Sequence, residues 1–423
     1  MGYTATRGLV MAFFSLVGAG CGSALDPSDP GTSEEGTQSA FLSQAMSHRR
    51  VCGSPRAGSP QCSSRVVTDD SGNPVARNSG PSGYGPNEFV TAYALPSVAP
   101  SGQTIGITLA FLQPDLEADL GVYSQQFGLP ACTQANGCLK IVQACRTFGQ
   151  KKHPTTVCPT IVDSGWRLEA ALDVEIAHGI CPTCTIVVAL AVSNNFDDLA
   201  NAQGVAVQNG ATVLSNSWGA PEWSAETQFD ASWTHPGIPN VFASGDSGYG
   251  AFYPSASPAV VSAGGTTLTL NRKDNTYRSE SAWSGAGSHC SLYEFANSWQ
   301  TALPNWAATG CGNARAAADV SADADPSTGA AIYDSIPYAG RSGWFQVGGT
   351  SLATPILAGL FALAGGGGGV TNPSSIPYAR FTSANSHDIT SGTNGSCGTI
   401  MCAAGVGYDG PTGLGSPMGI GGF

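Results

Sequence analysis

The sequence predicts an α/β protein, a doubly wound and mainly parallel sheet with helices on both faces. Apolar runs of strand length recur along the chain: TIGITLAF (104–111), CTIVVALA (184–191), ATVLSNSWG (211–219), NVFASGDSG (240–248) and AVVSAGGTTL (259–268). They are continuous rather than alternating, as in strands covered on both sides. Stretches of helical periodicity fall among and after them, at 166–178, 196–208 and 352–364, and such alternation favours parallel βαβ connections.

Taken in order, Arg7 precedes an apolar run, GLVMAFFSLVGAG (8–20), and then Cys21. This is the layout of a bacterial export signal and is too short to span a membrane as a helix. The protein is expected outside the cytoplasm, either secreted or held at the cell envelope by a lipid on Cys21. Gly18 stands where lipidation signals usually carry Leu or Val, so plain cleavage and a lipid anchor both stay open. Residues 22–81 are rich in Ser, Gly, Pro, Asp and Arg without sustained apolar periodicity, which predicts a polar tether or short propeptide. Residues 82–423 are expected to fold as one domain. Its first helix has Asp163-Ser164-Gly165 as a start signal and Gly179 near its end. The last, beginning beside Ser351, runs into Gly365–Gly369, a helix exit rather than a phosphate loop because it follows a helix instead of opening one.

Composition excludes one large class of partner. Only 11% of the 423 residues are charged, the net charge is −12 and the lysines are Lys140, Lys151, Lys152 and Lys273 alone. A surface so poor in cations does not suit a polyanion, so nucleic acid is not expected as a partner. The chain is expected to be a monomer. With Cys21 set aside, the other twelve of 13 cysteines fall into near neighbours: Cys52/Cys62, Cys132/Cys138, Cys145/Cys158, Cys181/Cys184, Cys290/Cys311 and Cys397/Cys402. Disulfides in an oxidising compartment are the economical reading. For CPTC (181–184), close to His178, a redox or zinc element is the weaker alternative to a disulfide.

The stretch VGGTSLATP (347–355) places Ser351 at the start of a buried helix. A serine hydroxyl is a weak nucleophile and needs a base, a group to orient that base, and donors for the oxyanion that forms. The histidines offer little: His48, His153, His235, His289 and His387 lie in the tether or in loops, and His178 lacks HGTH surroundings. In RLEAALDVEI (167–176), Leu168, Leu172 and Ile176 form an apolar stripe with Glu169 and Asp173 beside it, one turn apart. Glu175 falls far around the helix and is expected to be solvated. Taken alone, the pair reads better as surface acids near Arg167.

GGTSLATPILAG (348–359) resembles the serine motif of the subtilase superfamily, and LEAALD (168–173), ASGDSG (243–248) and GVGYDGPTGLGSP (405–417) resemble its serine-carboxyl branch, the sedolisins. The resemblance runs from about Tyr84 to Pro417. It implies a subtilisin-like fold and a secreted endopeptidase that cuts polypeptides, best in acid. It further implies Ser351 as nucleophile, Glu169 as general base and acid, Asp173 as its orienting partner and Asp246 as oxyanion donor. Ser217, Trp218 and Gly219 would bind substrate backbone. Ca²⁺ would sit on the carboxylates of Asp388 and Asp409 and the carbonyls of Ile389, Gly405 and Gly407. Adjacent buried carboxylates share a proton, and Asp246 must be protonated to donate, which is why acid is favoured.

The chain departs from the pattern at Gly348, where many sedolisins have Ser, and in having only residues 22–81 before the domain instead of a long prodomain. ITLAF (107–111) offers no further acid to extend the proton chain, which shifts the expected optimum toward neutral. Ser247 in GDSG resembles a chymotrypsin-type nucleophile, but Tyr249 follows and no TAAHC-type segment exists. The alternatives are a histidine-dependent subtilisin and a non-catalytic, calcium-stabilised surface protein.

Overall fold

Strands β1 (His48–Arg50), β2 (Gln61–Cys62), β3 (Arg65–Val67) and β4 (Ala76–Arg77) come first in the computed structural model, which describes Gly2 and residues 46–149 and 154–423. The expected export signal, Cys21 and His153 lie outside the described residues. Then follow β5 (Thr104–Ala110), β6 (Leu139–Ala144), helix α1 (Ser164–Ile180), β7 (Thr185–Ala191), α2 (Phe196–Gln208), β8 (Val213–Asn216) and β9 (Trp218–Pro221). The elements that complete the site are β10 (Asn240–Ala243), β11 (Val261–Leu270), β12 (Tyr277–Ala282), β13 (Val320–Asp323), β14 (Ala330–Tyr338), β15 (Arg341–Gly348) and α3 (Thr350–Leu363).

The central sheet runs β12-β11-β10-β8-β5-β7-β6, with β13 also beside β11. Every pairing in it is parallel except β11 with β12. Strands β5 and β7 are buried along all but their first residue, which is what their unbroken apolar runs require. The expected strand 211–219 divides at Ser217: β8 stays in the sheet, and β9 leaves it to pair with β2. Ser217 and the turn 244–246 therefore stand at the carboxyl edge of the sheet, where α/β proteins assemble their sites.

Helix α1 departs from its amphipathic pattern. Asp163 caps it, accepting from the N–H groups of Gly165 and Trp166 at 2.9 and 3.0 Å. From Gly165 to Ile180 every residue is buried, because the sheet, α3 and β14 enclose the helix on several sides. Glu175, expected in solvent, is thus wholly buried, and its Oε2 accepts the Tyr333 N–H at 2.9 Å. Helical spacing reveals angle around an axis but not how many neighbours cover it. Arg167 is also buried, paired with Asp334 at 2.9 Å and Asp115 at 3.3 Å.

Residues 46–81, expected as a tether, belong to the compact unit Ala45–Phe423. β1, β3, β15 and β14 form a sheet in that order, with β4 also on β15. Strands this short carry no periodicity of their own and are stable only through partners distant in sequence. Six disulfides are formed, each between the near neighbours named above, including Cys181–Cys184. Cys132 and Cys138 gather near His178, but their sulfurs are bonded to each other. No helix among the described residues is long and apolar enough to cross a membrane.

Candidate active site

The turn into α3 positions Ser351. Gly349 has φ +103°, and a Cβ there would stand 2.4 Å from the Ser63 carbonyl oxygen and 2.6 Å from Asp246 Oδ2, so only glycine fits. Gly348 is equally hemmed in, since a Cβ would meet the Ala324 carbonyl and the Pro326 nitrogen at 2.6 Å. The departure at Gly348 thus has a local steric reason. Ser351 lies in the first turn of α3, and its hydroxyl donates to the Ser217 carbonyl at 3.1 Å. Its backbone N–H points to the Ser63 carbonyl at 2.9 Å.

Glu169 and Asp173 face this serine from α1. Both are 0% exposed. Burial, then the neighbouring Asp173 charge, pushes the Glu169 carboxyl well above the usual range, opposed by the Ser351 and Ser64 hydroxyls. Those hydroxyls face the carboxyl without closing a full hydrogen bond to it, and both Glu169 oxygens lack a partner. Asp173 is raised by burial, opposed by Ser217, whose hydroxyl donates to Oδ1 at 2.6 Å. No cation pairs with either carboxyl among the described residues, so nothing offsets the burial that disfavours ionising both.

Asp246 closes the other side. Its Oδ1 accepts the Thr350 N–H at 2.8 Å and the Thr350 hydroxyl at 3.0 Å, while Oδ2 has no hydrogen-bond partner. Burial raises its carboxyl; Arg65, the Thr350 bonds and Arg50 oppose the shift. The free Oδ2 and the Ser351 N–H therefore converge beside Gly349. Ser351, Glu169, Asp173 and Asp246, which came from three separated motifs, are brought together. His178 is not: it lies about 13 Å further along α1, buried, with Nε2 on the Pro130 carbonyl at 2.9 Å. Ser247 is exposed, beside Arg50, whose guanidinium donates to its hydroxyl at 2.5 Å.

Trp218 turns its side chain into the core, where its indole N–H donates to the Thr108 carbonyl at 3.1 Å and its ring lies against Phe242 and Trp233. Only the backbone edge of 217–219 faces the cleft, and that edge is taken by the chain itself: Trp218 pairs with Cys62 and Gly219 with Gln61, antiparallel. Beside it a pocket of about 450 Å³ is lined by Pro221, Ser244, Gly245, Phe252 and Gly287 on one side and by Arg50 and Pro55 on the other. The contribution of 50–65 was not foreseen from sequence; the Cys52/Cys62 pairing was the signal that this segment is held in place.

Near the C-terminus, Asp409 is wholly buried, accepting from Gly405 N–H at 3.1 Å and Thr412 N–H at 2.9 Å. Exposed Asp388 accepts the Gly407 N–H at 3.0 and 3.1 Å. Burial pushes Asp409 up to about 7, Thr412 and Gly405 opposing and the Asp388 charge adding to it. Neither acid has a cationic partner among the described residues. Two repelling carboxylates in a loop rich in backbone oxygens, with Ile389 buried next to them, suit a hard cation.

Comparison with known proteins agrees with this geometry. Residues 148–394 match the Subtilase family. Sedolisin of Pseudomonas sp. (strain 101) is 36% identical over 184 residues, 40% of this chain and 29% of that protein. Kumamolisin of Bacillus sp. (strain MN-32) is 29% identical over 380 residues, 82% of this chain and 64% of that protein. The chain thus spans less than two thirds of the length of these relatives. A solved structure of Pseudomonas sedolisin, a serine-carboxyl proteinase complexed with two molecules of pseudo-iodotyrostatin, superposes with a TM-score of 0.63 at 26% identity, covering 81% of this chain and 96% of that one. With its fold, the order of its motifs and these relatives in agreement, the chain belongs to the sedolisin family of the subtilases.

Proposed function

We propose that the chain is an exported serine-carboxyl endopeptidase acting on polypeptides as a monomer. The observation that carries this reading is the buried Glu169 carboxyl, set between the Ser351 hydroxyl and Asp173 and held away from ionisation by burial. Ser351 Oγ attacks the scissile carbonyl carbon and its proton passes to Glu169, which returns it to the departing amine. Asp173, tied to the Ser217 hydroxyl, holds the shared proton. Protonated Asp246 and the Ser351 N–H donate to the oxyanion.

The pH dependence follows in sign. Glu169, Asp173 and Asp246 are all raised by burial, so the competent form, one proton on the pair and one on Asp246, is populated on the acid side. Casein hydrolysis across pH 3 to 8 is expected to peak below neutrality and fall as these protons leave. His178→Asn, which keeps an N–H for the Pro130 carbonyl, is expected to retain wild-type turnover. Loss of activity in that variant with its fold intact favours the histidine-dependent reading, and no hydrolysis by the wild type at any pH favours the non-catalytic one.

Ca²⁺ is the cation proposed for the Asp388 and Asp409 carboxylates with the Ile389, Gly405 and Gly407 carbonyls. Its role is to neutralise two acids and fix the loop, with no part in the chemistry. A ligand bound only by the folded state stabilises by about 2.7 kcal/mol at a hundred times its Kd. Calcium is therefore expected to raise the Tm of the wild type by a few degrees in calorimetry, and to leave that of Asp409→Asn unmoved.

A further inference from the structure

A second group of acids lies away from Ser351. Glu222 and Glu226 bracket the turn after β9, Asp230 opens the short helix Asp230–Trp233, and Glu294 comes in from the strand His289–Phe295. Glu226 is 0% exposed and Glu294 6%. The Ser291 hydroxyl and the Leu292 N–H, the latter at 2.8 Å, occupy the two oxygens of Glu222. Glu226 Oε2 accepts the Trp223 N–H at 2.8 Å, while its Oε1 has no donor and its carboxyl faces Glu222 within side-chain hydrogen-bonding range. Glu294 Oε1 also lacks a donor, and its carboxyl faces Asp230 in the same way. Asp230 Oδ1 accepts the Tyr253 hydroxyl at 2.9 Å, and that hydroxyl accepts the Trp233 indole N–H at 2.7 Å. Among the described residues none of the four acids is paired with a cation, and they do not bring three ligand atoms close enough together to hold a metal ion. Two carboxyls that face each other in this way are joined by a proton on one of them.

We propose that these acids form a clasp closed by two protons, one from Glu226 to Glu222 and one from Glu294 to Asp230, that positions the wall of the pocket beside the cleft. The proposal rests on the peptidase reading above and assigns Glu226 and Glu294 as positioning residues for its substrate. The clasp ties three stretches of chain together behind that wall. Ala220 and Pro221 pair antiparallel with Tyr253 and Phe252, and Pro221 and Phe252 line the pocket. Glu222 follows Pro221 directly, and Tyr253 beside Phe252 is bonded to Asp230. From the other side the Phe252 ring packs straight onto Gly219 and Gly245, where a Cβ would stand 2.3 and 3.0 Å from it. Its place is therefore set by glycines in front and by the clasp behind.

The protons are held in agreement with this geometry. Burial, then the Glu222 charge, pushes Glu226 up to about 9, with the Trp223 N–H opposing and Glu294 adding to the shift. Burial, then the Asp230 charge, pushes Glu294 up to about 8; Glu222 adds to the shift, and Arg315, which is itself paired with Asp319 at 2.6 Å, opposes it. Tyr253 stays protonated, its hydroxyl raised by burial and by Asp230. An unfolded chain releases both protons above about pH 4.3. The clasp's contribution to stability is thus complete below that pH and is lost as pH rises toward 8 and 9. In between, each retained proton makes the unfolding equilibrium constant grow about ten-fold per pH unit.

The test compares wild type, Glu226→Gln, Glu294→Gln and the double glutamine variant in denaturant unfolding from about pH 5 to pH 7.5, inside the window in which only the folded state keeps the protons. A glutamine amide donates an N–H where the acid donates its proton, so these variants stay closed without titrating. Each single variant is expected to lose about ten-fold per pH unit from the slope of the unfolding constant, and the double variant about a hundred-fold. The catalytic acids act alike in all four proteins and cancel. Glu226→Ala and Glu294→Ala open the clasp at every pH, and are expected to raise the KM for casein by about five-fold or more at the pH optimum with kcat little changed, while the glutamine variants keep both constants. A double variant with the wild-type pH slope overturns the clasp, and folded alanine variants with an unchanged KM overturn its hold on the pocket. A wild type that hydrolyses no casein overturns the peptidase reading, and the pH slope still decides whether the clasp exists.

Discussion

Ser351→Ala is expected to lower the turnover of a protein substrate by about 10⁴-fold or more, and Glu169→Gln to come close to the same loss. Groups that act as one unit fail together, so the double variant should be little worse than either single one, a result that steady-state kinetics with a chromogenic peptide can read. Glu169→Gln is the more informative of the two. Glutamine has nearly the same volume in a fully buried site, and both carboxyl oxygens of Glu169 lack partners there. Removing an acid held beside Asp173 also relieves a repulsion. The melting temperature of Glu169→Gln should therefore equal or exceed that of the wild type while activity vanishes. A folded variant with normal turnover overturns the assignment.

Asp246→Ala is expected to reduce kcat by about 10²-fold to 10³-fold with little change in KM, the usual effect of losing one oxyanion donor. The conservative variant makes a sharper statement. In Asp246→Asn the amide oxygen can keep the Thr350 N–H that Oδ1 now accepts at 2.8 Å, and the amide N–H can donate where Oδ2 has no partner. That donor does not titrate. The alkaline limb set by Asp246, whose carboxyl is raised by burial against Arg65 and Arg50, should move to higher pH in Asp246→Asn. If the pH profiles of Asn variant and wild type superimpose, Asp246 does not serve as the protonated donor.

Much of the sheet was legible because its strands are unbroken apolar runs, and burial on both faces leaves that mark directly in composition. The pairing of Glu169 with Asp173 was legible for a similar reason, since four residues is close to one helical turn. Glu175 was misplaced: α1 is enclosed on several sides, and a period reports direction without reporting what lies there. The hydroxyl of Ser217 as the partner of Asp173 was equally hidden, because it depends on β8 and α1 meeting across 44 residues.

Local spacing and residue chemistry by themselves determined the class of fold, the near-neighbour cysteine pairs and the candidate serine, and the resemblance to the sedolisins singled out the acids. Only the tertiary structure decided which of these share one buried volume, and that residues 61–64 lie across it. The reason is physical: a period or a short-loop crosslink is a property of adjacent residues. A carboxyl's proton affinity, or a strand of two residues, exists only through the desolvation and partners that distant segments supply.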